Sequence, residues 1–330
     1  MILHNRLGRD QLIARINNEP FKRKTVSFYR YIRISDPQLF RDELYMSLDA
    51  LGCYGRIYVA HEGINAQMSV PEHHVDAFNG FLDSRSELMK MPLKWAVEDD
   101  GKSFLKLKIK VRRKIVADGL EDEVFDVTDV GTHLSPVEFH ELSASEDVIV
   151  VDMRNNYESE VGYFKNAIRP DVFTFRDEVE MVVSQLQDQK DKKILLYCTG
   201  GVRCEKASAW MRHHGFSDVN QLHGGVIAYA QTVKQLNLKS RFIGKNFVFD
   251  ERMGERITAD IVSKCHTCGN PCDNHLNCTW NACHQLFIQC DSCQARMNSC
   301  CSEECKHELE MNPENNFPAK KMVLSSACSI

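Results

Sequence analysis

The sequence predicts a chain of several domains, of mixed α/β and α+β class, that ends in a small metal-binding region. Three observations predict it. The first ~112 residues alternate strand-like and helix-like apolar patterns. Residues 148–151 and 194–197 are continuous apolar runs of the kind that become buried parallel strands. Ten of the 14 cysteines fall between Cys265 and Cys305. At 330 residues the chain exceeds one ordinary core, so two or three domains are expected. Its 43% hydrophobic and 26% charged residues are ordinary for a globular protein.

Taken in order, residues 25–34 read as a strand and 37–51 as a helix. Residues 56–60 and 64–70 read as strands around a tight His61-Glu62-Gly63 turn. A second helix is expected at 71–82, a short strand at 93–98 and a last strand at 104–111. The order βαββαβ is that of a ferredoxin-like sandwich. In the last strand Leu105, Leu107, Ile109 and Val111 alternate with Lys106, Lys108 and Lys110, which sets the lysines on one face.

Asp118, Glu121, Asp122, Glu123, Asp126 and Asp129 then form an acidic stretch that reads as a linker. The boundaries that follow are 1–112 for the first domain, 113–129 for the linker and 130–243 for a doubly wound α/β domain. A cysteine-rich region spans 244–310, and 311–330 reads as a flexible tail. Cys198 falls at the carboxyl end of the strand 194–197, the edge where open α/β sheets place their sites.

Cys198 opens the run Cys198-Thr199-Gly200-Gly201-Val202-Arg203-Cys204. A thiolate is the reactive form of cysteine, and its free pKa of about 8.5 leaves little of it at neutral pH unless the site lowers that value. Gly200 and Gly201 permit a sharp loop whose amides converge on the sulfur. Arg203 adds a full positive charge, and a helix start adds its dipole. The run therefore reads as a nucleophile loop. A buried, inert cysteine closing an apolar strand is the competing reading for Cys198 taken alone.

The loop resembles the six-residue active-site loop of rhodanese-type sulfurtransferases, and Asp152, Arg154, Glu158 and Gly162 match the motif upstream of it, with Tyr163 where a histidine is usual. Related phosphatases use a loop one residue longer, and here that position is Cys204. The resemblance narrows further. His61-Glu62-Gly63-Ile64-Asn65, the run from Lys114 to Gly119, the Cys198 loop and the run from Phe247 to Arg256 together are similar to the rhodanese-family tRNA uridine(34) hydroxylases over nearly the whole chain.

That resemblance implies oxygen-dependent conversion of the wobble uridine of tRNA to 5-hydroxyuridine, with molecular oxygen as co-substrate. No flavin or nicotinamide fingerprint accompanies it. Two routes are open: addition of the Cys198 thiolate to C6 of an extruded uracil, or a persulfide or oxidised sulfur at Cys198 with Cys204 as resolving thiol. Asp152 and Arg154 read as an ion pair bracing the site. The alternatives in other classes are a plain sulfurtransferase and a non-catalytic tRNA-binding adaptor.

Cys265-x2-Cys268 and Cys290-x2-Cys293 have the spacing of one tetrahedral zinc site. Cys272, Cys278, Cys283, Cys300, Cys301 and Cys305, with His266, His275 and His284 nearby, allow a second, and a cross-braced arrangement is one option. With no open position evident, one or two structural zinc ions are expected; an iron–sulfur cluster is the lesser alternative. Cys53 reads as a core cysteine and Cys328 as a tail cysteine.

The net charge of −5 is unevenly spread. Residues 1–34 hold eight Lys or Arg against Asp10 and Glu19, and residues 101–116 hold seven and no acid. With the family resemblance this assigns phosphate contacts to Lys106, Lys108, Lys110, Arg112 and Arg113, and the family motif adds His61, Glu62 and Asn65 as RNA-contacting residues, with acid–base chemistry the alternative for His61 and Glu62. The first sheet lacks the aromatic stacking motif of common RNA-binding modules, so backbone and shape recognition is expected. No apolar run approaches the ~20 residues of a membrane span, and the first residues do not read as a secretion signal. A cytoplasmic protein with tRNA as partner, and no stable protein partner inferable, is expected.

Overall fold

The computed structural model describes residues 7–121 and 124–312, and the chain divides into two units. Met1–Asp118 groups with Gly200–Arg203, and Gly119–Thr199 groups with Cys204–Ile330. In the first unit α1 (Arg9–Asn17) precedes β1 (Arg23–Tyr31), α2 (Pro37–Ala50), β2 (Tyr54–Ala60) and β3 (Gly63–Pro71). Then come α3 (Val75–Asp83), β4 (Lys94–Trp95) and β5 (Leu107–Val111). The Asp36 side chain caps α2 by accepting from the amides of Gln38 and Leu39, with Pro37 preset for the first turn. Only two residues, His61 and Glu62, join β2 to β3. Gly63 has φ of +146°, and a Cβ there would lie 2.0 Å from the Arg30 carbonyl oxygen, so that position admits no side chain.

The sheet runs β4-β1-β3-β2-β5, with every pairing antiparallel except that of β2 with β5. Its first four strands with α2 and α3 make the ferredoxin-like arrangement read from the sequence. The closing strand of that unit is β4 beside β1. The strand expected at 104–111 is instead a fifth one, added parallel to β2 at the far edge, where Leu107 and Ile109 extend a core built on Val26, Phe28, Leu44, Leu48, Ile57, Ile64 and Phe78. Helix α1 has no counterpart in the sequence reading, because its apolar pattern is short, with Leu12 and Ile16 its two buried residues.

The second unit holds β6 (Thr132–Leu134), α4 (Pro136–Leu142), β7 (Val148–Asp152), α5 (Asn156–Ser159), β8 (Gly162–Phe164), α6 (Phe175–Gln185), β9 (Lys193–Tyr197), α7 (Val202–His213), β10 (Asp218–Leu222) and α8 (Gly225–Gln235). Strands β6-β10-β9-β7 form a parallel sheet. The chain steps from β7 through β9 to β10 in one direction, but β6 connects to β7 across the whole sheet. Right-handed crossovers running in opposite directions put their helices on opposite faces, which makes the sheet doubly wound. Ser135 and Glu138 close a capping box at the start of α4.

Beyond α8 come β11 (Phe242–Asn246), β12 (Glu255–Arg256), β13 (His275–Asn277), β14 (Leu286–Ile288), α9 (Asp291–Met297) and α10 (Glu303–Met311). Strand β11 pairs with β8, and Val161, Phe247, Met253, Cys265, Ile288 and Cys293 share one core. The cysteine-rich region that begins near 244 is thus packed onto the α/β unit through a shared core. The stretch 113–129 also differs from a solvated linker. Ile115 and Asp118 are buried, Lys114 pairs with Asp118 at 2.7 Å, and Phe125 packs edge-on against Trp210. Of the expected tail 311–330, all but Met311 and Asn312, and with it Cys328, lies outside the described residues. No helix among the described residues is long and apolar enough to cross a membrane.

Candidate active site and metal centres

Cys198 stands where the sequence puts it, at the carboxyl end of β9, with its residue 1% exposed. The start of α8 backs the loop: the Val226 amide donates to the Cys198 carbonyl at 3.0 Å and that of Ile227 to the Thr199 carbonyl at 3.3 Å. The Thr199 hydroxyl donates to Glu158 Oε2 at 3.2 Å, and Glu158 Oε1 accepts from the Asn155 amide at 3.1 Å. Glu158 is fully buried and ties the start of α5 to the residue after the cysteine. The sequence reading left it in the motif without a role; its signal is the capping-box spacing of Asn155 and Glu158.

Behind the cysteine lies the expected ion pair. Arg154 Nε and Nη2 donate to the two Asp152 carboxylate oxygens at 2.7 and 2.6 Å, and Nη2 also reaches the Gly162 carbonyl at 2.7 Å. Both residues are fully buried. Burial works against the Arg154 charge, but the Asp152 carboxylate outweighs it and holds the Arg154 pKa above the ordinary guanidinium value. The Tyr197 hydroxyl donates to Asp152 Oδ2 at 2.6 Å. Burial first, and then the Asp152 charge, push the Tyr197 pKa well above its usual value. The residue before the nucleophile candidate is therefore a neutral phenol pinned to a buried ion pair.

The middle of the loop, Gly200–Arg203, groups with the first unit. Within that unit the Tyr31 hydroxyl donates to the Val202 carbonyl at 3.3 Å. Gly201 has φ of +99°, and a Cβ on it would come within 2.8 Å of the Tyr29 hydroxyl oxygen, so this position holds glycine for two reasons. Arg203 and Cys204 occupy the first turn of α7, both buried.

The RNA-contact candidates divide. Glu62 accepts from the Ile115 amide at 2.7 Å, and the Asn65 side-chain amide donates to the Ile115 carbonyl at 3.2 Å. His61 Nδ1 sits 3.0 Å from the Ile34 carbonyl. These three side chains fasten backbone. Lys106, Lys108 and Arg113 are exposed, Lys110 and Arg112 half-buried, and Leu107 and Ile109 between the lysines are buried. In the basic N-terminal stretch, Arg15 bonds the Leu105 carbonyl, Arg23 pairs with Glu19, and Arg30 bonds the carbonyls of Glu87, Met89 and Lys90. Those three cations are internal fastenings, and Arg6 lies outside the described residues.

The cysteines resolve into two quartets, Cys265, Cys268, Cys290 and Cys293, and Cys278, Cys283, Cys301 and Cys305. In each, the four sulfurs lie within 4.8 Å of one another. A tetrahedral ion with metal–sulfur bonds of about 2.3 Å spaces its sulfurs about 3.8 Å apart. The Sγ separations of 3.7 Å for Cys268 and Cys290, and 3.6 Å for Cys283 with Cys301 and Cys301 with Cys305, match that spacing. They are far from the ~2.05 Å of a disulfide.

Each quartet can hold a metal ion, and their pairs alternate along the chain, which is the cross-braced option. Cys272 and Cys300, counted among the sequence candidates, belong to neither quartet. Cys272 Sγ accepts from the Asn274 amide, and Cys300 is fully buried. Two of the histidines are used elsewhere: His266 pairs with Glu160 at 2.7 Å, and His275 packs edge-on against Phe247. Cys53 is a core residue whose thiol burial pushes up to about 12.

Comparison with known proteins marks three regions of the chain. Residues 23–115 match the model of the UPF0176 acylphosphatase like domain, 135–232 the rhodanese-like domain and 243–306 the rhodanase C-terminal domain. A tRNA uridine(34) hydroxylase of Leptospira interrogans is 53% identical over 97% of this chain and 87% of its own length. Those of Escherichia fergusonii and Erwinia tasmaniensis are each 51% identical over 95% of this chain and 90% of theirs.

Proposed function

This chain belongs to the tRNA uridine(34) hydroxylase family, and from that premise we propose that it hydroxylates C5 of the wobble uridine of tRNA with dioxygen as oxidant. The observation that carries the reading is the likeness to hydroxylases at half or more of the residues over 95% or more of the chain. With dioxygen, one oxygen atom goes to C5 and the other leaves as water, at the expense of two electrons from an external reductant.

Cys198 is the nucleophile in this reading. Cys198 stands at the carboxyl end of β9 and opens a glycine-containing loop that runs into α7, a setting that favours a thiolate. Addition of that thiolate to C6 of the extruded base makes C5 electron-rich, and release of the sulfur with the C5 proton restores the aromatic ring after oxygen has been added. Glu158 and Tyr197 position the loop through Thr199 and Asp152.

The two quartets hold structural zinc. Four thiolates complete each tetrahedron, so the ions brace the region around β13 and β14 and leave no open position.

The test is purified protein acting on a tRNA transcript with unmodified wobble uridine, under isotopically heavy oxygen gas. Heavy oxygen in the product nucleoside supports the reading. Ordinary oxygen, drawn from water, overturns the dioxygen step, and sulfur gained in place of oxygen overturns hydroxylation in favour of sulfur transfer.

A further inference from the structure

The face of the first sheet turned away from its helices carries more than the lysine strand. Register sets Arg56 beside Lys108 and Tyr58 beside Lys110 across β2 and β5, and Arg56 beside Gln67 and Tyr58 beside Asn65 across β2 and β3. Side chains alternate along a strand, and Ile57, Val59, Ala66, Met68, Leu107 and Ile109 are buried against the helices, so Arg56, Tyr58, Gln67, Lys108 and Lys110 share the opposite face. None of the residues of β1, β2, β3 or β5 is acidic. No carboxylate among the described residues pairs with Arg56, Lys106, Lys108 or Lys110, in contrast to Arg23.

We infer that this face is a single-stranded RNA platform on which Tyr58 stacks an unpaired base while Arg56, Lys106, Lys108 and Lys110 take the adjoining phosphates. The inference rests on the tRNA reading above and adds to it the part of the substrate held here, the nucleotides of the anticodon loop. The charge is of one sign and unneutralised, which fits a polyanion. Tyr58 lies within it as a half-buried aromatic ring, and the Arg112 guanidinium stands 5.8 Å from its ring centroid. Burial, and then the charges of Lys110, Arg56 and Lys106, lower the Lys108 pKa to about 8. In this inference Tyr58 on β2 supplies an aromatic contact outside any common motif.

The experiment measures binding of the full-length protein to an anticodon stem-loop RNA and to a blunt duplex of the same stem, without turnover. Tyr58→Ala should weaken stem-loop binding by about 5- to 150-fold and leave duplex binding unchanged, because stacking needs an unpaired base. Tyr58→Phe should bind as wild type. Lys108→Glu should weaken both RNAs and flatten the salt dependence, since fewer counterions are released. Unchanged thermal unfolding of the exposed-site variant Lys108→Glu keeps the result interpretable if Tyr58→Ala proves unstable. Wild-type affinity in folded Tyr58→Ala and Lys108→Glu overturns the inference and leaves the function standing, as does equal loss on stem-loop and duplex with Tyr58→Ala. A wild-type protein that does not bind the stem-loop overturns both.

Discussion

Replacing Asp152 by Asn removes one charge from the buried pair behind the cysteine while keeping the side chain's shape. Arg154 is fully buried, with two bonds to the Asp152 carboxylate and one to the Gly162 carbonyl. The amide that replaces the carboxylate cannot neutralise it. Breaking a buried pair from one side costs about 3–5 kcal/mol, because the remaining charge is left in a medium that solvates it poorly. For a unit of roughly 200 residues each kcal/mol moves Tm by about 2–4 °C, so the second unit should melt about 6–20 °C lower. The double replacement Asp152→Leu with Arg154→Met removes both charges and should cost less than the single one. Thermal unfolding followed by circular dichroism reads both. Since Tyr197 bonds Asp152 and directly precedes Cys198, hydroxylation by the single variant below its Tm should also fall, by about tenfold to a hundredfold. A Tm drop under about 2 °C for Asp152→Asn, or a double variant less stable than the single, would refute the account of this pair.

The other predictions concern the loop, the metals and the basic face. Glu158→Gln should leave the fold intact and reduce turnover by about tenfold or more, because its amide nitrogen cannot accept from the Thr199 hydroxyl as the carboxylate does; steady-state kinetics with full activity would remove Glu158 as a positioning residue. Elemental analysis of reduced protein should find two zinc ions per chain, and Cys278→Ser should lower zinc retention at the other quartet as well, since the two sites alternate along one stretch. One ion per chain, or independent loss, would contradict the cross-brace. With the Lys108 pKa lowered to about 8, that lysine is a cation below this pH and neutral above it. RNA affinity should therefore hold at lower pH and fall as pH rises through about 8, and Lys108→Arg should remove that fall; an identical pH profile in the two proteins would refute it.

What the sequence disclosed was local. Alternation along 107–111 and the apolar runs at 148–151 and 194–197 each mark their own element. Cys198 then falls at a strand end by position alone. The features that escaped depend on distant residues. Glu62 meets Ile115, 53 positions away, so the family motif at the hairpin reads as exposed until the chain returns to it. Tyr58 and Lys110 become neighbours through a parallel pairing at a sheet edge, which strand patterning does not specify. Ligand spacing identified Cys265 with Cys268 and Cys290 with Cys293, but several pairings of the remaining cysteines satisfy the same spacing. The fold alone separates Cys272 and Cys300 from the quartets.

The central claim is that Cys198 performs the hydroxylation, and nucleoside mass spectrometry of tRNA from cells lacking the chain tests it most directly, after return of either the wild-type sequence or Cys198→Ser. A serine hydroxyl does not ionise in a loop suited to a thiolate, and its buried volume is little changed. The account predicts that wild type restores 5-hydroxyuridine at the wobble position and that the serine protein, present at equal level, restores none. Restoration by Cys198→Ser at the wild-type rate would contradict it.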